Sequence, residues 1–126
     1  MRSQTQANIL LLVSDQLIRA VMQEVLEEDG YFVTATGDLG AAVDQLKTGT
    51  PDLLITRTFV STMPGHAAAK YLRKKCPRMR VLIVGGILDD DRLRNREELE
   101  NFQVFPKPYS ASEFLEKVRD VLNSPR

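Results

Sequence analysis

Runs of apolar residues and amphipathic stretches alternate along the chain with little slack between them. Ile9-Leu10-Leu11-Leu12-Val13 is continuously apolar, as a strand covered on both faces requires. From Asp15 the pattern changes: Leu17, Ile18, Val21, Met22, Val25 and Leu26 recur at helical spacing and predict a helix with one apolar stripe. Gly30 stands where a helix ends in a residue of positive φ. Tyr31 to Ala35 predicts a second, more polar strand near a sheet edge. Leu39, Ala42, Val43 and Leu46 mark a second helix closed by Gly49, and Leu53-Leu54-Ile55-Thr56 a third strand after Pro51. A loop is expected next, then a helix from Ala67 to Lys75 stopped by Pro77, and a strand Val81 to Val84 ending at Gly85-Gly86. Phe102 to Phe105 predicts a short fifth strand. In the last helix Ser110 and Glu113 form a capping box ahead of Phe114, Leu115, Val118, Val121 and Leu122.

The stretch between the fourth and fifth strands differs from the rest. Nine of the twelve residues from Asp89 to Glu100 are charged, and only Leu93 and Leu99 are apolar. A thinly anchored helix is expected there, more labile than the others. Five β-α units in succession imply an α/β fold: a (βα)5 three-layer sandwich with a parallel sheet. One topology that fits is flavodoxin-like, with strand order 2-1-3-4-5 and a site at the C-terminal strand ends. That arrangement gathers Ser14-Asp15, Arg57, Gly85-Gly86 and Lys107 around one crevice.

Size and charge narrow the picture further. The 126 residues fit a single domain, 1–126, with an ordered core over about 7–123. Seventeen Lys and Arg balance seventeen Asp and Glu, so no broad basic face is expected to hold nucleic acid directly. The basic run Arg73, Lys74, Lys75, Arg78 and Arg80 reads as a solvated helix end. No apolar run is long enough to cross a bilayer, and Met1 to Asn8 has no signal-peptide core. A single cysteine, Cys76, excludes an internal disulfide and fits a reducing, cytoplasmic setting. His66 has no second His or a Cys nearby to build a metal site and reads as a surface residue or cap. No nucleophile–base pair is visible, and the chain is expected not to be an enzyme.

Ile9 to Asp15, Pro51-Asp52-Leu53-Leu54-Ile55-Thr56, Val81 to Val84 and Lys107-Pro108-Tyr109, in this order, resemble the receiver domain of two-component response regulators. The resemblance spans almost the whole chain. It implies the flavodoxin-like fold and a phosphoryl-accepting site. That site uses an acidic pair after strand one, an aspartate ending strand three, a hydroxyl after strand four and a lysine before a proline after strand five. Mg²⁺ joins it because clustered carboxylate oxygens suit a hard cation.

This chain departs from that pattern at the decisive positions. Arg57 stands where the phospho-acceptor aspartate belongs, and an arginine cannot form an acyl phosphate. No Asp or Glu occurs from Leu53 to Leu88. Ser14 replaces the first acid, Gly85 the hydroxyl and Val104 the switch aromatic; Asp15 and Lys107 alone match. At about 4 Å and an effective dielectric of 20, each cation repels a metal by about 4 kcal/mol per unit charge. Mg²⁺ binding is therefore expected to be lost, with no cofactor, and Asp15 to be paired by Arg57, Lys107 or both.

The resulting expectation is a degenerate receiver, a pseudo-receiver, working as a protein-interaction module in phosphorelay signalling. Its partner would be a signalling protein such as a histidine kinase or an output domain. The resemblance places the interaction face on the charged helix, the fifth strand and the last helix, with Leu93, Leu99, Val104 and Tyr109. A monomer or weak homodimer is expected. Two other readings stay open: a conventional phosphorylated receiver of a response regulator or hybrid kinase, and a small-molecule or nucleotide binder at the crevice.

Overall fold

The computed structural model of the chain describes residues 7–84, 103–105 and 110–123. In chain order the elements are β1 (Asn8–Leu12), α1 (Gln16–Glu28), β2 (Phe32–Thr36), α2 (Leu39–Leu46), β3 (Leu53–Arg57), β4 (Phe59–Val60), β5 (Met63–Pro64), α3 (Gly65–Lys75), β6 (Arg80–Val84), β7 (Gln103–Phe105) and α4 (Ala111–Asn123). The main sheet runs β2-β1-β3-β6-β7, and every pairing in it is parallel. The more polar β2 lies at an edge. The charged stretch 89–100, with Leu93 and Leu99, falls outside the described residues.

Alternation along the central strands supplies two cores. Ile9, Leu11, Val13, Leu53, Ile55, Leu82 and Val84 face α1 and α4, meeting Met22, Leu26, Phe114, Val118 and Val121. Leu10, Leu12, Leu54, Val81 and Ile83 face the other way, onto Ala42, Ala68, Ala69, Leu72, Cys76 and Met79. Both faces of β1 and β3 are thus sealed, which is why their sequences read as unbroken apolar runs. Cys76 is buried at 6% exposure as the C-cap of α3.

The helix ends follow local chemistry. Asp15 and Asp38 cap α1 and α2, accepting from the backbone N–H of Ile18 (3.0 Å) and Ala41 (2.8 Å). Ser110 and Glu113 form the reciprocal capping box: Ser110 N–H donates to Glu113 (2.8 Å), and Glu113 N–H to Ser110 Oγ (3.1 Å). Gly30 adopts φ 99° after α1.

Three local expectations need correction. Of the six apolar positions in α1, Met22 and Leu26 are buried while Leu17 and Val21 are 74% and 53% exposed. Six positions at that spacing span a wider arc than one sheet face can cover. The segment after β3 is no plain loop: Phe59 and Val60 pair antiparallel with Pro64 and Met63 in a small hairpin. Finally, α3 begins at Gly65, two residues early, so His66 is a half-buried helical residue, and the N-cap is Pro64.

Candidate functional site

The C-terminal ends of β1 and β3 lie side by side, with Leu12 in register with Thr56. The Thr56 hydroxyl, fully buried, donates to the Leu12 carbonyl at 2.7 Å and ties the two strands where the crevice begins. Ser14 and Asp15 follow β1 and are exposed; Arg57 ends β3, half-buried, in register with Val84 of β6. Gly85, Lys107 and Tyr109 lie outside the described residues. Val104 is the middle residue of β7, in register with Ile83.

The described side chains use their polar atoms locally. The Asp15 carboxylate turns back to cap α1. The Ser14 hydroxyl accepts the backbone N–H of Ser61 at 3.0 Å. Ser61 sits at the tip of the β4–β5 hairpin with φ 59°, a left-handed conformation that disfavours a residue with a Cβ. Ser14 therefore pins that turn against the end of β1. The expected Asp15–Arg57 ion pair does not form: among the described residues, neither takes part in a salt bridge. Capping gives the carboxylate a nearer partner than a guanidinium across the crevice.

Two residues missed by sequence reasoning shape this end of the molecule. Arg19 donates from Nη1 to the Val13 carbonyl at 2.7 Å. It also lies over Gly37, where a Cβ would come within 2.8 Å of the same nitrogen. Gly65 approaches β3 so closely that a Cβ would overlap the Arg57 carbonyl oxygen, and its N–H donates to Thr58 O at 2.6 Å. The Met-Pro-Gly sequence ahead of α3 was the available signal for such a close approach. Among the described residues no three His, Cys, Asp or Glu side chains cluster as a metal set, and no helix is long and apolar enough to span a membrane.

Comparison with known proteins agrees with this architecture. The response regulator receiver domain profile matches residues 9–119. Sporulation initiation phosphotransferase F of Bacillus subtilis is 26% identical over 114 residues, covering 90% of this chain and 92% of that protein. The sensor kinase CckA of Brucella abortus is 25% identical over 118 residues, or 92% of this chain but 12% of the kinase. The DNA-binding transcriptional regulator NtrC of Azospirillum brasilense is 26% identical over 118 residues, or 94% of this chain and 24% of its own length. The chain thus spans between an eighth and a quarter of those two longer relatives. Among solved structures, the signal receiver domain of an HD domain-containing protein from Pseudomonas fluorescens superposes with a TM-score of 0.80 at 23% identity, over 94% of this chain and 88% of that one. The response regulator TrrA from Thermotoga maritima, solved with Mg²⁺ and BeF, gives 0.77 at 21% identity, over 92% and 99%. With its parallel sheet and a profile match over residues 9–119, the chain belongs to the response regulator receiver domain family of two-component signalling.

Proposed function

We propose that this receiver domain acts outside the phosphorylation cycle, as an interaction module whose state is set by a protein partner. One observation carries the reading: β3 ends in Arg57, at the position where the family resemblance calls for a phosphorylated aspartate. A guanidinium has no carboxylate oxygen to attack phosphorus, and it stays cationic at any working pH. The residues present do not fit Mg²⁺ either. The Ser14 hydroxyl already accepts from Ser61, and the exposed Asp15 carboxylate already accepts from Ile18. The half-buried Arg57 adds a cation at the end of the neighbouring strand β3. Among the described residues at these strand ends, a divalent ion that prefers six oxygen ligands would have one carboxylate to hold it.

The partner belongs to two-component signalling by virtue of the family: a histidine kinase, an output domain, or the remainder of a longer regulator. The interaction face assigned by the resemblance, with Leu93, Leu99, Val104 and Tyr109, is the part to map first. Incubation with acetyl phosphate and Mg²⁺ followed by intact-mass measurement should give no adduct. A stoichiometric phosphate adduct labile to hydroxylamine would sink the proposal. Conversely, Ser14→Asp with Arg57→Asp should create a site whose occupancy by Mg²⁺ shifts the amide resonances of residues 13–16 and 57, all unmoved by Mg²⁺ in the parent chain.

A further inference from the structure

Among the described residues, the β2 edge of the main sheet lacks the usual protection. Exposed strand edges are blunted by lysine, proline, bulges or inward charges, because an open row of N–H and C=O groups recruits another strand. The edge strand β2 reads Phe32-Val33-Thr34-Ala35-Thr36, with no charge and no proline. Its inner side is fixed by β1: Phe32 N–H donates to Ala7 O, and Val13 N–H donates to Thr36 O. Backbone groups alternate sides along a strand, so those of Val33 and Ala35 point outward. Phe32 is 59% exposed.

The helix beside this edge has a matching pattern. Arg19, Gln23 and Glu27 recur at i, i+4 and i+8 and form one stripe of α1, with Gln23 Nε2 donating to Glu27 at 3.0 Å. The stripe faces the β2 side. Arg19 lies against Gly37, immediately after β2, and on α1's other flank Asp29 pairs with Arg119 of α4 at 3.4 Å. The stripe is cationic at one end, neutral at its centre and anionic at the other. From Arg19 to Glu27 is about 12 Å along the helix; from Phe32 to Thr36 is about 13 Å along the strand. Because α1 and β2 run in opposite directions and Arg19 reaches Gly37, the midpoints Gln23 and Thr34 lie within about one strand residue of the same level.

We infer that β2 is a self-association surface on which a second copy of this chain docks antiparallel, about a two-fold axis through Thr34. In that register Val33 faces Ala35 of the copy, and each such pair exchanges both outward hydrogen bonds. Thr34 faces itself in a non-hydrogen-bonded pair. The same axis passes Gln23 and sets Arg19 of each copy opposite Glu27 of the other. The charge order of the stripe selects this occupant: a second copy turned end for end is its complement, whereas a parallel copy would oppose like charges. The inference does not depend on whether the crevice accepts a phosphoryl group.

Sedimentation of the full chain at low salt should show a mass rising with concentration from the monomer value toward twice that. Glu27→Arg, an exposed change, should weaken the dimer at least about 10-fold, since two surface ion pairs become two repulsions. Arg19→Glu should do the same, and an equimolar mixture of the two variants should recover association, because each then offers what the other lacks. Thr34→Cys should cross-link under mild oxidation, as Cα atoms about 4.5 Å apart permit. A monomer at millimolar concentration, a dimer of unchanged affinity in Glu27→Arg, or a Thr34→Cys chain that does not cross-link overturns the inference.

Discussion

The bodies of the central strands and their C-terminal ends obey different constraints. Within β1 and β3 nearly every side chain is buried, and the one buried polar group, Thr56, donates its proton to the Leu12 carbonyl. At the C-terminal ends, Ser14 and Asp15 just after β1 are exposed, and Arg57, the last residue of β3, is half-buried. The bodies keep what the receiver fold needs. The ends carry a cation, Arg57, and a hydroxyl, Ser14, at positions where the family resemblance calls for carboxylates. Burial explains the asymmetry: a change inside the sheet must be absorbed by two packed layers, whereas a change at a strand end meets water. The proposed loss of phosphoryl chemistry would therefore leave the architecture intact.

The largest test of that contrast sets a strand body against a strand end. Leu11→Ala should cost about 2–5 kcal/mol, because Leu11 is fully buried in the α1–α4 layer. Arg57→Ala should stay within about 0.5 kcal/mol. Urea denaturation of both variants checks this, and a large loss in Arg57→Ala would mean that the crevice supports the fold.

Gly65 marks where the two regimes touch. Its position against the Arg57 carbonyl leaves no room for a methyl group, so Gly65→Ala should destabilise by about 1–3 kcal/mol despite adding one carbon at the mouth of the crevice. A smaller effect separates capping from charge at Asp15. Asp15→Ala should cost about 0.5–2 kcal/mol through the lost cap, while Asp15→Asn, itself a good cap, should keep most of it. If Asn proves as damaging as Ala, the carboxylate charge matters and the capping account fails.

The smallest effect concerns pH. Burial, then the nearby Asp29 carboxylate, raise the Tyr31 pKa above its ordinary value of 10.0, with Arg119 opposing. The folded chain thus holds a proton that the unfolded chain releases at that pH. The contribution is fully present below about pH 10 and is lost as pH rises through the folded value. Tyr31→Phe should flatten the alkaline decline in stability. It should be neutral or stabilising at neutral pH, since it removes a buried hydroxyl with no hydrogen-bond partner among the described residues. A steeper alkaline decline in Tyr31→Phe would contradict this.

Much of this contrast was legible in the chain itself, and the reason is periodicity. Ile9 to Val13 and Leu53 to Thr56 announce two-sided burial, and the polar character of 31–35 places β2 at an edge. The Ser110–Glu113 box marks the start of α4. Arg57 was visible as an oddity because a strand end has a fixed place in the motif. The hydrogen bonds that define the crevice were not. Ser14 to Ser61 joins residues 47 positions apart, and no local pattern encodes a serine in the left-handed region at a hairpin tip. The expected Asp15–Arg57 pair failed for a related reason: a short local bond to Ile18 competes with a long-range attraction screened by water. Leu17 and Val21 show the limit of helical stripes, which give a direction of burial but not its width.

Cys76, the only thiol in the chain, is sealed between α3 and the sheet. Its burial turns it into a built-in gauge of breathing. A thiol reagent can reach it only when the end of α3 lifts, so under fast reclosing the labelling rate is the intrinsic rate scaled by the open fraction. Comparing that rate with global unfolding would tell whether the α3 layer detaches on its own or only with the whole domain. No probe need be engineered, and no second cysteine blurs the signal.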